Sequence, residues 1–341
     1  MKKEIEMKID VVVTWLDTND PEWIASYQRL RGGIHKEDKG RYRNWDIFRY
    51  WFRAIEYYAP WVNKIYLVTN GKNPDWINPN NPKLVLVKHS DYIDSKYLPT
   101  FNSCSIEINF NKIKDLSEHF VYFNDDFFLN APVTPDYYFK KGLPRDCNTE
   151  KLSLTPFYSP EEMFRNRIKI WIDLAVLNYH FDRRKTVKQS PMRWFGPHLW
   201  GKHLLATALL YGKKEFQAFT LRHQEQPMLK SVIQEIWDAE PQMCEKTCSQ
   251  FRQDISFNPY IIRYWQFATN RFYPMRKNYG KYFGLGISSI NSIQKALFNP
   301  KIKSICLNDG ALCSDELYVQ YKQKLIDTFE RKFPKKSSFE L

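Results

Sequence analysis

Phe120 to Leu129 reads Phe-Val-Tyr-Phe-Asn-Asp-Asp-Phe-Phe-Leu, an apolar run interrupted by Asn124, Asp125 and Asp126. Runs this rich in Phe, Tyr and Val form buried strands. Two adjacent carboxylates inside such a run are costly to bury unless something compensates their charge. A divalent cation bound to a phosphate does this, because carboxylate oxygens suit Mg²⁺ or Mn²⁺. The same residues also fit a strand ending in a tight turn with both acids solvated.

The elements around this stretch tilt the balance toward the metal. Ile9 to Trp15 is β-branched and apolar, a predicted central strand, and Asp17 follows it at the carboxyl end, where open α/β sheets bind ligands. Asp20 reads as a helix N-cap, with Pro21 at the first helical position. Trp45 to Tyr58 is an amphipathic helix stopped by Pro60, with Phe48, Phe52, Ile55 and Tyr58 on one face. Lys64 to Thr69 is a second strand closed by the turn signal Asn70-Gly71, and Leu84 to Val87 a third. Strand, helix and strand in short succession predict a βαβ unit and a largely parallel sheet. Asp17, Asn70 and Asp125 then all stand at strand ends. No Gly-x-Gly-x-x-Gly or Gly-x-x-x-x-Gly-Lys-Ser/Thr occurs, and the chain holds only 12 Gly, so dinucleotide and P-loop readings lose ground.

Composition bounds the partners. The 341 residues carry 51 Lys+Arg and 38 Asp+Glu, a net charge of +13, and 43% hydrophobic residues exclude a largely disordered chain. The basic balance favours a polyanion: nucleic acid, anionic lipid, a nucleotide-sugar or a phosphate-bearing polymer. The start, Met1 to Met7, is charged and lacks an apolar core, so no signal peptide is expected. Leu204 to Tyr211 is too short to span a bilayer. The six cysteines are scattered. Cys244 and Cys248 stand at helical spacing, and reduced structural thiols fit them better than a zinc site. These features predict a cytoplasmic location.

Past Pro160 the character changes. Glu161 to Phe181 reads as a long helix. Residues 183–214 contain no Asp or Glu, yet hold Arg183, Arg184, Lys185, Lys188 and Arg193, with Trp194 and Trp200 interleaved. This is either a solvated basic face or a platform for an anionic polymer or lipid headgroups, and its one-sidedness favours the platform. A helix is expected from Met228 to Glu240, an aromatic helix from Tyr260 to Thr269, a last strand at Ile305 to Asp309 and a final helix from Asp315 to Phe333. The predicted divisions are an α/β part over 1–155, a basic helical insertion over 156–222, a part completing the site over 223–333 and a frayed tail over 334–341.

Taken together, these blocks resemble the Stealth family, the bacterial capsular polysaccharide phosphotransferases, whose animal relative is the lysosomal-enzyme N-acetylglucosamine-1-phosphotransferase. The first block is Ile9-Asp-Val-Val-Val-Thr-Trp-Leu-Asp-Thr-Asn-Asp-Pro-Glu-Trp23. The second is Arg41-Tyr-Arg-Asn44 with Ala59-Pro-Trp61, Ile65 to Gly71, Leu98-Pro-Thr-Phe-Asn-Ser103 and Leu116 to Asp126. The third is His223 to Pro227 with Phe251-Arg252, and the fourth is Ile305 to Asp309. The chain departs from the family at Cys104 and at His223, which is followed by Gln-Glu-Gln-Pro where relatives often have His-x-Pro.

The resemblance implies an α/β fold with a nucleotide-sugar-transferase-like (GT-A-like) core, a mostly parallel sheet and helical insertions. It implies transfer of a sugar-1-phosphate, commonly from a UDP-sugar, to an acceptor hydroxyl, with UMP released and a phosphodiester formed. On that reading Asp125 and Asp126 hold Mg²⁺ or Mn²⁺, directly or through water. His223 is the general base and Arg252 the phosphate clamp, with Asp17 counted beside them as catalytic. Arg43, Asn70, Asn102, Glu107, Asn308 and Asp309 bind substrate. The implied partners are a nucleotide-sugar donor and a polysaccharide or glycan acceptor, with no nucleic acid, while the basic 183–214 stretch leaves open a contact with the polymer or a peripheral contact with the inner face of the plasma membrane. Two rivals stand beside this reading. An ordinary metal-dependent glycosyltransferase would release UDP, and a basic non-enzymatic binding module would explain the charge but not the acidic strand ends.

Overall fold

The computed structural model describes residues 7–32, 43–151, 168–198, 202–276, 279–309 and 313–341. In chain order, the first half holds β1 (Ile9–Thr14), α1 (Pro21–Arg31), α2 (Phe48–Tyr58), β2 (Ile65–Thr69), β3 (Leu84–Lys88), α3 (Ser103–Glu107), β4 (His119–Phe123) and β5 (Phe127–Leu129). The second half holds α4 (Ile168–His180), α5 (Arg183–Gln189), α6 (Pro191–Phe195), α7 (Lys202–Leu209), β6 (Gln226–Leu229), α8 (Lys230–Ala239), α9 (Tyr260–Ala268), β7 (Gly280–Leu285), β8 (Ser304–Asp309) and α10 (Asp315–Lys332). Shorter strands and helices are also present among the described residues.

The main sheet has five strands in the order β6-β4-β1-β2-β3. β1 pairs in parallel with both β2 and β4, and β2 with β3. Val11, Val12 and Val13 are buried, as befits a central strand covered on both faces. The chain leaves β1 toward β2 on one side and returns to β4 on the other, so the carboxyl ends of β1 and β4 flank a topological switch point. The α/β class and mostly parallel sheet match the expectation from sequence.

A second sheet, β7-β8-β5, stands beside the first. β4 runs into β5 through Asn124, Asp125 and Asp126, so this turn is the joint between the two sheets. Phe127 N bonds Asn124 O at 3.1 Å, closing the turn, and Leu307 N bonds Asp126 O at 2.9 Å, fixing it to β8. β8 pairs antiparallel with β5 and parallel with β7.

Local rules account for much of this. Asp20 caps α1 by accepting from Glu22 N at 3.3 Å, with Pro21 at the first position. α2 buries Trp51 and Phe52 completely against the main sheet's core. All six cysteines are buried free thiols.

Three expectations need correction, and a fourth, the long helix before Arg183, is met where the chain is described. The helix expected from Met228 to Glu240 begins only at Lys230, as α8, because Met228 and Leu229 belong to an antiparallel edge strand on β4, Gln226–Leu229. Pro227 is tolerated there because an edge position needs no second donor. The tail is not frayed: Phe339 is buried, and Glu340 takes a paired bond from Arg53 Nε and Nη2, each at 2.8 Å. The helix expected over 161–181 is described from Ile168 to His180, and residues 161–167 lie outside the described residues. The basic strip does not exist in the predicted form. Arg183 is fully buried and grips Glu150 with Nε and Nη2 at 2.8 and 2.7 Å. Arg184 pairs with Asp182 at 3.0 Å, and Trp194 is buried with its Nε1 on Asn270 Oδ1 at 2.9 Å. Glu150 and Asn270 lie outside the acid-free window, so no local reading of charge shows them. Trp200 lies outside the described residues.

Candidate active site

The carboxyl ends of the main sheet open into a cleft of about 670 Å³. Strand ends deliver side chains to it, some from the last paired residues and some from the turns just beyond. β1 supplies Thr14 and Trp15, β2 supplies Asn70, and β3 supplies His89. The joint after β4 supplies Asp125 and Asp126, and β8 brings Asn308 and Asp309 from the second sheet. Arg31, Arg43 and Arg252 line the same cleft from three separate segments.

The acidic joint is held closely. Asn308 Nδ2 donates to Asp126 Oδ2 at 3.1 Å and lies 3.3 Å from His223 Nε2. His223 Nε2 is 4.0 Å from Asp126 Oδ2, and its ring stands edge-on to Phe127 with centroids 5.0 Å apart. The Cys306 thiol donates to Asp126 Oδ2 at 3.6 Å. Burial and the neighbouring Asp126 charge push that thiol far up in pKa, so it stays protonated. Asp125 is exposed to the cleft. Lost hydration, and then the charge of Asp126, raise it to about 7.

This donor set fits a hard divalent cation. Asp126 Oδ1 is buried with no hydrogen-bond partner, although a carboxylate oxygen in that position needs one. Asp125 resists ionisation beside Asp126 for want of a counter-charge. Asp126 Oδ2, His223 and Cys306 also place potential ligand atoms within 4.8 Å of one another. With the thiol protonated, the oxygen ligands remain the better match.

The arginines of the cleft are equally organised. Arg252 Nη2 donates to Ser103 Oγ at 2.7 Å. Arg43 donates to Cys313 O at 2.6 Å and Asp315 Oδ1 at 2.7 Å, and stands 3.7 Å from Asp309 Oδ2. Asp309 Oδ2 accepts from Trp45 Nε1 at 3.1 Å. Each arginine is braced by one or two acceptors, which orients its guanidinium for bidentate bonds to an anion.

Of the residues singled out from sequence, Arg43, Asn70, Asp125, Asp126, His223, Arg252, Asn308 and Asp309 share the cleft. Three do not line it. Asp17 stands at the end of β1, but its Oδ1 accepts from Asn19 N at 3.0 Å within its own turn. Asn102 is fully buried: it caps α3 through Cys104 N and ties that segment to Thr247 O at 3.0 Å. Glu107 is buried behind the wall, where burial raises it to about 7 against the opposing pull of Arg252, Tyr122 and Ser103. Sequence reasoning missed His89, Trp45, Arg31 and Ser103. The strand-end rule that picked Asn70 points equally to His89, whereas Arg31 and Ser103 carry no local signal.

Comparisons with known proteins bear on the same residues. Stealth protein CR2, conserved region 2, matches residues 41–146, and Stealth protein CR4, conserved region 4, matches residues 295–341. The first contains the Asn-Asp-Asp joint and the second contains β8. The chain is 38% identical over 344 residues to the capsular polysaccharide phosphotransferase WcwK of Streptococcus pneumoniae, covering 98% of each chain. It is 36% identical over 342 residues to the receptor polysaccharide phosphotransferase WefC of Streptococcus oralis, covering 98% of this chain and 99% of that one. Among solved structures, the apo form of the WbbM bifunctional glycosyltransferase matches 97% of this chain and 53% of its own, with 10% identity and a TM-score of 0.39, too low to argue from. Near-complete coverage at this identity, with two conserved regions spanning the cleft, means that the chain belongs to the Stealth family of polysaccharide phosphotransferases.

Proposed function

We propose that this chain moves a sugar-1-phosphate from a nucleotide sugar, a UDP-sugar, to a hydroxyl of a glycan acceptor, releasing UMP and leaving a phosphodiester link. The observation that carries this reading is the placement of His223 beside the Asn308–Asp126 pair, in a cleft that arginines also line.

The acceptor oxygen attacks the phosphorus that bears the sugar. An O–P bond forms, the bond to the UMP oxygen breaks, and the electron pair leaves with UMP. The anomeric bond is untouched. His223 takes the acceptor proton as general base. Its Phe127 and Asn308 contacts hold the ring in place. Arg252 and Arg43 meet the charge that gathers on phosphoryl oxygens, where fixed donors in a recess are worth more than in water. Asp125 and Asp126 would hold Mg²⁺ or Mn²⁺, which supplies charge neutralisation at the phosphate groups when bound. Asn70 spends its Oδ1 on Lys72 N at 3.3 Å, leaving its amide N–H₂ to donate to the nucleotide.

Incubating the protein with a panel of nucleotide sugars and glycan acceptors, and identifying the released nucleotide, tests this. UMP with a phosphodiester product supports the reading. UDP with a glycosidic product points to an ordinary glycosyltransferase, and no turnover with any donor removes the enzymatic reading.

A further inference from the structure

The acid-free stretch that the cleft does not absorb has a face of its own. α7 is amphipathic in the reverse sense for a surface helix. At about 100° per residue, Leu204, Leu205, Ala208 and Leu209 fall within an arc of roughly 140°. All four are exposed, Leu205 and Leu209 at 61% and 60%. Thr207 and Leu210 point inward instead. Surface helices ordinarily turn their apolar arc to the core. Tyr211 and Met192 extend the patch, exposed at 69% and 70%, and Tyr211 rests on Phe195 of α6 with ring centroids 5.7 Å apart.

Basic residues adjoin it. Arg183 N bonds Lys214 O at 2.8 Å, and Arg183 Nη1 bonds Leu210 O at 2.5 Å. These bonds bring the start of α5, with Lys185 exposed, beside the exposed Lys213 and Lys214. Among the described residues none of these three lysines forms an ion pair, and of the two acids that flank residues 183–214, Asp182 is paired with Arg184 and Glu215 follows Lys214. The buried Arg183 is thus the bolt that joins the two segments rather than part of the binding face.

We propose that this face docks on an anionic lipid bilayer, the leucines and Tyr211 entering the headgroup boundary and the lysines meeting lipid phosphates. The mixture decides the occupant. A polyanionic glycan would use the lysines but leave an apolar arc in water. A bilayer surface satisfies both, since apolar insertion and electrostatic attraction act together there. No helix among the described residues is long and apolar enough to cross a membrane, so the contact would be peripheral.

Co-sedimentation of the full chain with vesicles of equal parts phosphatidylglycerol and phosphatidylcholine tests this, independently of the transferase reading. Binding should weaken with added salt, vanish on pure phosphatidylcholine, and fall about fivefold for each lysine removed in Lys213→Ala and Lys213→Ala/Lys214→Ala. Leu205→Ser/Leu209→Ser should lose vesicle binding while circular dichroism and melting stay at wild-type values. Wild-type protein that remains in the supernatant overturns the proposal, as does a serine variant that sediments like wild type. A chain that is dimeric in solution and becomes monomeric on the same leucine substitutions also overturns it, because the face is then covered by a second copy.

Discussion

Asn308 Nδ2 donates to Asp126 Oδ2 at 3.1 Å, joining residues 182 positions apart in the chain. Asp126 ends the crossing from the main sheet to the second, and Asn308 is near the end of β8. The bond therefore sets the distance between the two halves of the cleft. Asn308→Ala should keep the fold but lower kcat by about tenfold to a hundredfold, the usual cost of losing a residue that orients a ligating carboxylate. Steady-state kinetics alongside a thermal melt check this, and an unchanged kcat would remove Asn308 from the site.

Asp126→Asn and Asp125→Asn should each cost about a hundredfold or more in turnover, because an amide is a poorer ligand for a hard cation. Chelator treatment should silence the wild-type protein, and Mg²⁺ or Mn²⁺ should restore it. Full activity of either variant in chelator would show that the carboxylates serve the turn alone.

His223→Ala should depress kcat by about a hundredfold to ten-thousandfold with donor binding largely kept, since proton removal matters in the transition state. Arg252→Lys should instead raise the donor KM, because an ammonium cannot reproduce a bidentate grip. The KM-against-kcat split separates the two roles, and the same split for both variants would refute the assignment.

Glu107 has a folded pKa of about 7, raised by burial. Below that pH it is neutral, and the charge of Arg252 faces the cleft unopposed. Above it the new carboxylate offsets Arg252, so anion binding weakens. The donor KM of the wild-type protein should climb by roughly threefold or more between pH 6 and pH 8.5. Glu107→Gln, neutral throughout, should flatten that rise. Parallel profiles for the two proteins would detach Glu107 from Arg252.

The buried Arg183–Glu150 pair, 0% exposed on both side chains, should matter for stability. Arg183→Ala strands a buried carboxylate, and we expect a loss of about 3–5 kcal/mol. Arg183→Met with Glu150→Leu, which removes both charges, should recover most of it. Denaturant melts of the two variants measure the difference.

The strands, their parallel pairing and the acidic strand end were legible in the sequence because they rest on short-range physics. Val11 to Val13 can only be a buried strand. Asp20-Pro21 can only open a helix, and the apolar runs flanking Asp125 and Asp126 force those acids to a turn. The strand-end rule likewise reaches Asn70, and applied evenly it reaches His89. Resemblance to the family added His223, Arg252 and Asn308, which no local pattern ranks above other polar residues.

Tertiary structure decided the rest, because long-range partners determine what a polar residue does. Asn102 and Arg183 look like binding residues until Thr247 and Glu150 consume them. Gln226–Leu229 has a helical neighbourhood, and only the unpaired edge of β4 makes it a strand. The last residues look frayed until Arg53 and the core around Phe339 claim them. Which face of the Leu204–Leu209 helix meets water was also undecided, since an amphipathic pattern states that two faces differ but not which one the core takes. By itself, the sequence determined the parallel strands, the long helices and the family. Only the packing of two sheets about one Asn-Asp-Asp turn decided which carboxylates, arginines and histidines share a cleft.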